Sequence, residues 1–239
     1  MGHCGTDLSV VNAARVSFHK VSEFEWYDKD GRGPCDGPSP CGEYFNIPKL
    51  SDKDTKLIHY LAKHNHKSPF NHCFLSFRVK APIFVARQLV KHEYLPWNEV
   101  SRRYVDEEPE FYFPEYWRKR ADNVKQGSSE DKVDLSICAS IFDYEEDDLT
   151  ETPMQLCQYA LEHYTALLKQ GVCAEQARMI LPQNTMTEWI WSGTLFAFVK
   201  MLKLRLDSHT QKETQEVAKL IAPLIERKFP VSYKALMEA

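Results

Sequence analysis

Leu75, Phe77 and Val79 alternate with Ser76, Arg78 and Lys80, and the alternation runs into Pro82. A period of two marks a half-buried strand, and proline is well tolerated in the first turn of a helix, where its missing N–H costs nothing. A strand passing directly into a helix is therefore expected here. Within that helix Ile83, Ala86 and Val90 would form an apolar stripe, and Arg87, Gln88, Lys91 and His92 fall at i, i+1, i+4 and i+5, on one face. Pro96 is expected to stop the helix, leaving Asn98, Glu99, Ser101, Arg103 and Tyr104 on a short connecting segment. Charged helix faces are usually only solvated. This one interleaves Ser, Asn, Gln and Tyr with tandem arginines, which suits a phosphorylated ligand better than bulk water.

The rest of the chain supplies elements to cover that strand. Val10 to Val16 reads as a short amphipathic helix. Residues 27–47 are rich in Asp, Gly and Pro and read as a loop insertion. Ser51, with Asp54 at the third position, caps a helix whose apolar face is Leu57, Ile58, Leu61 and Ala62. Residues 105–150 are acidic and aromatic, with Phe111, Tyr112, Phe113, Tyr116 and Trp117 expected to pack and the acidic runs to be solvated. Thr152-Pro153 opens a helix that Gly171 closes, with Leu156, Ala160, Tyr164, Leu167 and Leu168 as its core face. Arg178 falls on a short helix before Pro182, Trp189 to Arg205 reads as one apolar helix, and Ser208 to Phe229 as another, kinked at Pro223. The expected class is α+β: one antiparallel or mixed sheet packed by helices, with a mostly helical C-terminal half.

At 239 residues the chain suits a single domain, residues 1–239. Its net charge of −4 gives no general attraction to nucleic acid or anionic membrane, so any anion site must come from local clustering of cations. No apolar run reaches membrane-spanning length and no signal pattern opens the chain, so a cytoplasmic protein is expected. Seven scattered cysteines suit free thiols in a reducing compartment. Cys35 and Cys41 with His64 and His66 do not have a standard zinc spacing, and no metal site is expected.

Arg87-Gln88, Lys91-His92 and Asn98-Glu99-x-Ser101-x-Arg103-Tyr104 resemble the signature of the flavin-dependent thymidylate synthases, RQ-x-x-RHR followed by NE-x-S-x-RY. Further resemblance lies in Ala13–Phe18, His66–His72, Ala81–Gln88, Glu175–Asn184 and Leu204–His209, five blocks in one order. The resemblance implies reductive methylation of dUMP to dTMP, with methylenetetrahydrofolate as the carbon source and NADPH reducing an FAD cofactor. It implies no cysteine nucleophile, and neither Pro-Cys pair carries the Gln: Pro34-Cys35 is followed by Asp36 and Pro40-Cys41 by Gly42. It assigns Arg103 and Arg178, helped by Ser101 and Gln88, to the dUMP phosphate and sugar, with Lys91 and Glu99 also facing the nucleotide. It assigns Arg205 to the charge that develops on the uracil, a catalytic role by preorganised electrostatics. For FAD it implies Ser68, Lys91, His92, Glu99, Thr194, Lys200 and His209, and it implies a homotetramer with sites shared between subunits.

Two departures fall on the flavin side. The third cation of RHR is Glu93, and three positions that in the family usually contact flavin through Asn, Arg and Asn or His are Thr194, Phe196 and Lys200. An alternative is therefore a related enzyme acting at C5 of a pyrimidine nucleotide, such as a hydroxymethylase, with altered cofactor use. A nucleic-acid-binding module built on Lys63, Lys67, Arg87, Lys91, Arg102 and Arg103 is a rival of another class, opposed by the acidic total. A catalytically dead partner subunit is a third.

Overall fold

A computed structural model describes residues 1–27, 34–35, 47–104, 107–122, 128–133 and 152–239. Its centre is an antiparallel sheet in the order β1-β5-β9-β6. β1 is Gly2–Cys4, β5 is Phe74–Pro82, β9 is Met186–Thr194 and β6 is Trp97–Glu99. β5 and β9 pair over nine residues, from Phe74 opposite Thr194 to Pro82 opposite Met186. The expected alternation in β5 holds: Leu75, Phe77, Val79 and Ala81 are buried.

β9 corrects the reading of one helix from Trp189 to Arg205. The chain is a strand to Thr194 and then helix α6, Leu195–Arg205. Trp189 and Trp191 are fully buried while Ile190 between them is exposed, the alternation of a strand. An apolar, aromatic run read without its partner cannot be told from a buried helix; β5 decides it. Thr194 ends the strand and caps α6, its Oγ1 accepting the Ala197 N–H at 3.2 Å. The two buried indoles, with Trp97 stacked on Trp189 at 4.2 Å, anchor the sheet. Burying an indole removes 150–250 Å² from water, roughly 4 to 6 kcal/mol of gross transfer free energy each.

Helices cover one face of the sheet. α1 (Asp7–Arg15), α2 (Asp52–Lys63), α6, α7 (Lys212–Lys228) and α8 (Pro230–Glu238) contribute Val10, Val11, Ile58, Leu61, Phe198, Leu202, Ile221, Ile225 and Leu236 to the core. Ser51 caps α2 as expected, accepting the Asp54 N–H at 3.2 Å. α7 starts at Lys212 rather than Ser208, with Pro223 inside it. α8 was not anticipated. Its first-turn N–H groups, of Val231 and Ser232, each donate at 2.9 Å to the carboxylate of buried Asp7, tying the two ends of the chain together.

The small elements lie at the margins. β2 (Glu25–Tyr27), β3 (Pro34–Cys35) and β4 (Ile47–Lys49) form a three-stranded sheet at the edges of the expected insertion, most of which falls outside the described residues. β7 (Arg118–Arg120) and β8 (Ser128–Lys132) pair as an antiparallel ribbon. None of the five aromatics before it is buried; Tyr112 packs edge-on against Phe84, and Phe113 and Trp117 are exposed. α4 (Thr152–Lys169) ends before Gly171, which takes φ +86°, a conformation glycine alone adopts without strain. Its buried residues are Cys157 and Tyr164, while Leu156, expected in the core, is 63% exposed. α5 (Ala174–Ala177) and a 3₁₀ turn, Arg178–Ile180, complete the chain's elements, placing Arg178 on a short helical segment as expected. No helix among the described residues is long and apolar enough to cross a membrane.

Candidate functional site

The helix after β5, α3, spans only Ile83–Leu89. It was expected to reach Pro96, but backbone turns carry residues 90–96, with Tyr94 at φ +60°. Its buried face is Val85, Ala86 and Leu89, whereas Val90, expected in the apolar stripe, is 47% exposed. Lys91 and His92 therefore do not continue the helical face of Arg87 and Gln88. The reason lies in β9: Gly193 packs so closely on Tyr94 and Leu95 that a Cβ there would sit 2.8 Å from the Tyr94 carbonyl oxygen. Sheet packing claims this segment before another helical turn can form. Residues 97–99, expected in a connection, are instead strand β6 on the edge beside β9.

Arg205, at the end of α6, organises one group of residues. Its Nε donates to His92 Nε2 at 2.9 Å and its Nη2 donates to the Gln88 carbonyl oxygen at 2.9 Å. To accept that bond His92 must be neutral. Burial, then the charges of Arg205 and Lys200, push its pKa down to about 4. The Gln88 amide is held at both ends: its Nε2 donates to Gln211, and its Oε1 accepts from Thr214 Oγ1 at 3.1 Å. Gln88 is thus committed within the chain, and it is its main-chain oxygen that steers Arg205. Gln88, Lys91, Arg118, Arg205, Asp207 and His209 line a cavity of about 690 Å³. Three of these six are permanent cations and one is a carboxylate. His209 itself turns to Asp207, Nδ1 to Oδ1 at 2.9 Å.

His92 lines a second cavity, of about 630 Å³. Lys63, Lys67, Lys200 and Lys203 line it, together with Phe196, Val199, Leu204 and Leu236. Lys67 sits over the Phe196 ring, 5.5 Å from its centroid. The two sequence departures meet here: Glu93 pairs with Lys200 at 3.6 Å, with both side chains well exposed. Thr194 donates its hydroxyl proton to Asn71 at 2.9 Å, so its side chain serves the strand–helix joint. Ser68 is exposed in the 3₁₀ turn Ser68–His72, next to Lys67.

The remaining signature residues gather elsewhere. Glu99 accepts from Trp97 Nε1 at 3.0 Å and from Thr187 at 2.6 Å. Glu99 and Arg178 line a cavity of about 340 Å³ with Arg78, Lys80 and Arg102. Arg103 donates to Ser101 Oγ at 3.1 Å, stacks on Tyr104 and approaches Glu175 at 3.9 Å, while Arg178 Nε donates to the Glu175 carbonyl at 3.4 Å. Within one chain, then, Arg103 and Arg178 meet around Glu175, Arg205 meets His92 and Gln88, and Arg178 and Arg205 line different cavities. Ser101, Arg103 and Glu99 were legible as a motif; Arg118 and Gln211, which line the Arg205 cavity, and Thr214, which holds Gln88, were not, for they follow no spacing and come together only through tertiary contacts.

Cys73 is buried, and burial, then nearby Asp7 and Cys4, push its thiol up to about 12, far from a reactive thiolate. No cysteine among the described residues lines the Arg205 cavity. His64 and His66 stack around Tyr60, and no group of three metal-ligating side chains occurs among the described residues. The side chain of Cys35 is not described, and Cys41 lies outside the described residues.

Comparison with known proteins bears on what these cavities hold. The family described as thymidylate synthase complementing protein matches residues 1–231. The flavin-dependent thymidylate synthase of Thermosipho africanus is 34% identical over 98% of this chain and 87% of its own length. That of Thermus thermophilus is 36% identical, over 98% and 73%. A crystal structure of the UMP/dUMP methylase PolB from Streptomyces cacaoi, bound with 5-Br dUMP, superposes with a TM-score of 0.72 at 27% identity, covering 100% of this chain and 93% of that one. With the match running through nearly every residue described above, the chain belongs to the thymidylate synthase complementing protein family, that of the flavin-dependent thymidylate synthases.

Proposed function

We propose that this protein is a flavin-dependent thymidylate synthase, which reductively methylates dUMP to dTMP with methylenetetrahydrofolate as carbon donor and NADPH as reductant, the whole chain acting as one domain. The observation that carries the reading is the full-length family match, on a chain that keeps Arg205 fixed by two hydrogen bonds at the wall of a cationic cavity.

The chemistry asks two things of the protein. It must hold an anionic nucleotide, and it must stabilise the charge that develops on the uracil as C5 becomes nucleophilic. Arg205 suits the second task, because a donor already fixed needs no reorganisation when charge appears; one such donor is worth roughly 3 to 4 kcal/mol in enzymes that use them. His92, kept neutral, fixes the guanidinium without competing for negative charge. Arg103, Arg178 and Ser101 would hold the phosphate and sugar from a neighbouring subunit of a homotetramer, since in their own chain they lie apart from Arg205.

The second cavity fits FAD in its donor set: four lysines for a diphosphate and Phe196, Val199 and Leu204 for a ring system. Lys67, His92, Lys200 and Lys203 would hold the cofactor, with Ser68 at the rim. FAD, reduced by NADPH, would supply the reducing equivalents for a synthase that works without a cysteine nucleophile. Lys91 would serve the nucleotide, as it lines the Arg205 cavity. Glu99, Thr194 and His209 are engaged within the chain and are less suited to the flavin role. Free thiols at Cys4, Cys73, Cys157 and Cys173 are in keeping with a cytoplasmic enzyme.

Purified protein should carry a flavin absorbance band and release tritium from 5-tritiated dUMP when methylenetetrahydrofolate and NADPH are both present. Protein that takes up no flavin and releases no tritium would refute the reading. A second reading is favoured by the similarity to a UMP/dUMP methylase, also solved with 5-Br UMP. On that reading the enzyme modifies C5 of a ribonucleotide as well, or leaves a hydroxymethyl group. The mass of the product formed from UMP and from dUMP separates the two.

A further inference from the structure

Arg118 opens β7, and its side chain is only 16% exposed. Its Nη2 donates to both carboxylate oxygens of Glu213, at 2.9 and 3.1 Å. Glu213 sits in the first turn of α7 with a side chain 9% exposed. Burial works to raise the Glu213 pKa, but its own backbone N–H and then Arg118 outweigh it and keep the carboxylate ionised. Nε and Nη1 of Arg118 have no acceptor among the described residues, yet Arg118 lines the same cavity as Arg205 and Lys91. Largely burying a guanidinium while two of its nitrogens lack partners among the described residues leaves them suited to a further acceptor.

The ribbon is also fastened so that Arg118 stays in place. Lys212 Nζ donates to Tyr116 Oη at 2.9 Å and to Glu130 at 3.0 Å. The neighbours of Lys212 in the same turn, Gln211 and Thr214, hold Gln88, which lines the same cavity. One turn of α7 thus holds two residues that line the cavity, Gln88 and, through Glu213, Arg118.

We propose that Arg118 is a binding residue of the Arg205 cavity, its Nε and Nη1 receiving an anionic oxygen group of the ligand, and that Glu213 is the positioning residue that aims it. This rests on the reading that the cavity takes a uracil nucleotide with folate beside it. A phosphate monoester and a glutamyl carboxylate offer the same chemistry, two oxygens to a planar fork.

The test uses flavin-loaded protein, with calorimetric affinities for dUMP and for deoxyuridine and the KM for methylenetetrahydrofolate. Arg118→Gln should weaken dUMP binding about 10- to 100-fold and leave deoxyuridine unchanged if the phosphate is the partner. It should raise the folate KM by a similar factor, leaving dUMP unchanged, if the carboxylate is. Glu213→Gln, which keeps the guanidinium but frees it, should give a smaller loss of the same kind. Arg118→Lys keeps the charge without the fork and, should the Gln variant fail to fold, carries the same comparison. Equal losses for dUMP and deoxyuridine would reduce Arg118 to a piece of wall and overturn the proposal, as would no change in any of the three. Wild-type protein that binds neither dUMP nor folate would sink the functional reading, and the proposal with it.

Discussion

Arg205 gives its Nε–H to a histidine that must stay neutral to receive it. His92 has a folded pKa of about 4 against an ordinary 6.5. Between those values the unfolded chain binds a proton that the folded chain does not, so folding loses stability as pH falls through the window. The stabilisation is complete above 6.5 and gone below about 4. Melting temperatures should therefore fall with acidification more steeply for the wild type than for His92→Gln, which keeps an acceptor but cannot titrate there. Parallel curves from pH 6.5 to 4 would contradict this. At the same scale, Asp7 accepts two backbone N–H bonds at the start of α8, and burial pushes its carboxyl upward. Asp7→Ala should cost roughly 1 to 3 kcal/mol by stranding buried donors. Asp7→Asn, which keeps one acceptor oxygen, should cost less; urea unfolding would rank them.

At the scale of elements, the pairing of β5 with β9 decides how the site is built. It turns Trp189–Thr194 into a strand and sets Gly193 against the Tyr94–Leu95 turn. Gly193→Ala would drive a Cβ into the Tyr94 carbonyl, a clash with backbone that cannot swing aside. A loss of roughly 1 to 3 kcal/mol is expected, together with weaker dUMP binding, because the displaced turn carries Lys91 and His92. Denaturant midpoints and dUMP titration would check both; an unchanged midpoint would mean the turn is more yielding than its packing suggests. α3 illustrates the same dependence. Its sequence could continue past Leu89, and it stops because the sheet edge needs residues 94–99.

At the scale of the whole molecule, the separation of Arg103 and Arg178 from Arg205 in one chain predicts that complete sites require more than one subunit. Arg103→Ala and Arg205→Ala variants, each nearly inactive alone, should regain activity when co-expressed, since some mixed sites then hold both native arginines. Co-assembled oligomers that stay inactive would place the site within one chain. The exposed Met154, Leu156 and Tyr159 of α4 and Met179 beside Arg178 are consistent with such assembly.

The α+β class, the strand at residues 75–79, the Ser51 cap, the stop at Gly171 and the family signature were all legible in the sequence, because each rests on near neighbours in the chain: alternation, a capping side chain, a left-handed residue, a motif. The extent of α3, the strand at Trp189–Thr194, the pairing of Glu93 with Lys200, and the place of Arg118 were not. Each depends on a partner far along the chain, and local patterns are silent about partners. The sequence by itself determined which chemistry the residues carry; tertiary structure decided which of them share a cavity, since a guanidinium's use follows from the acceptors that packing leaves within its reach.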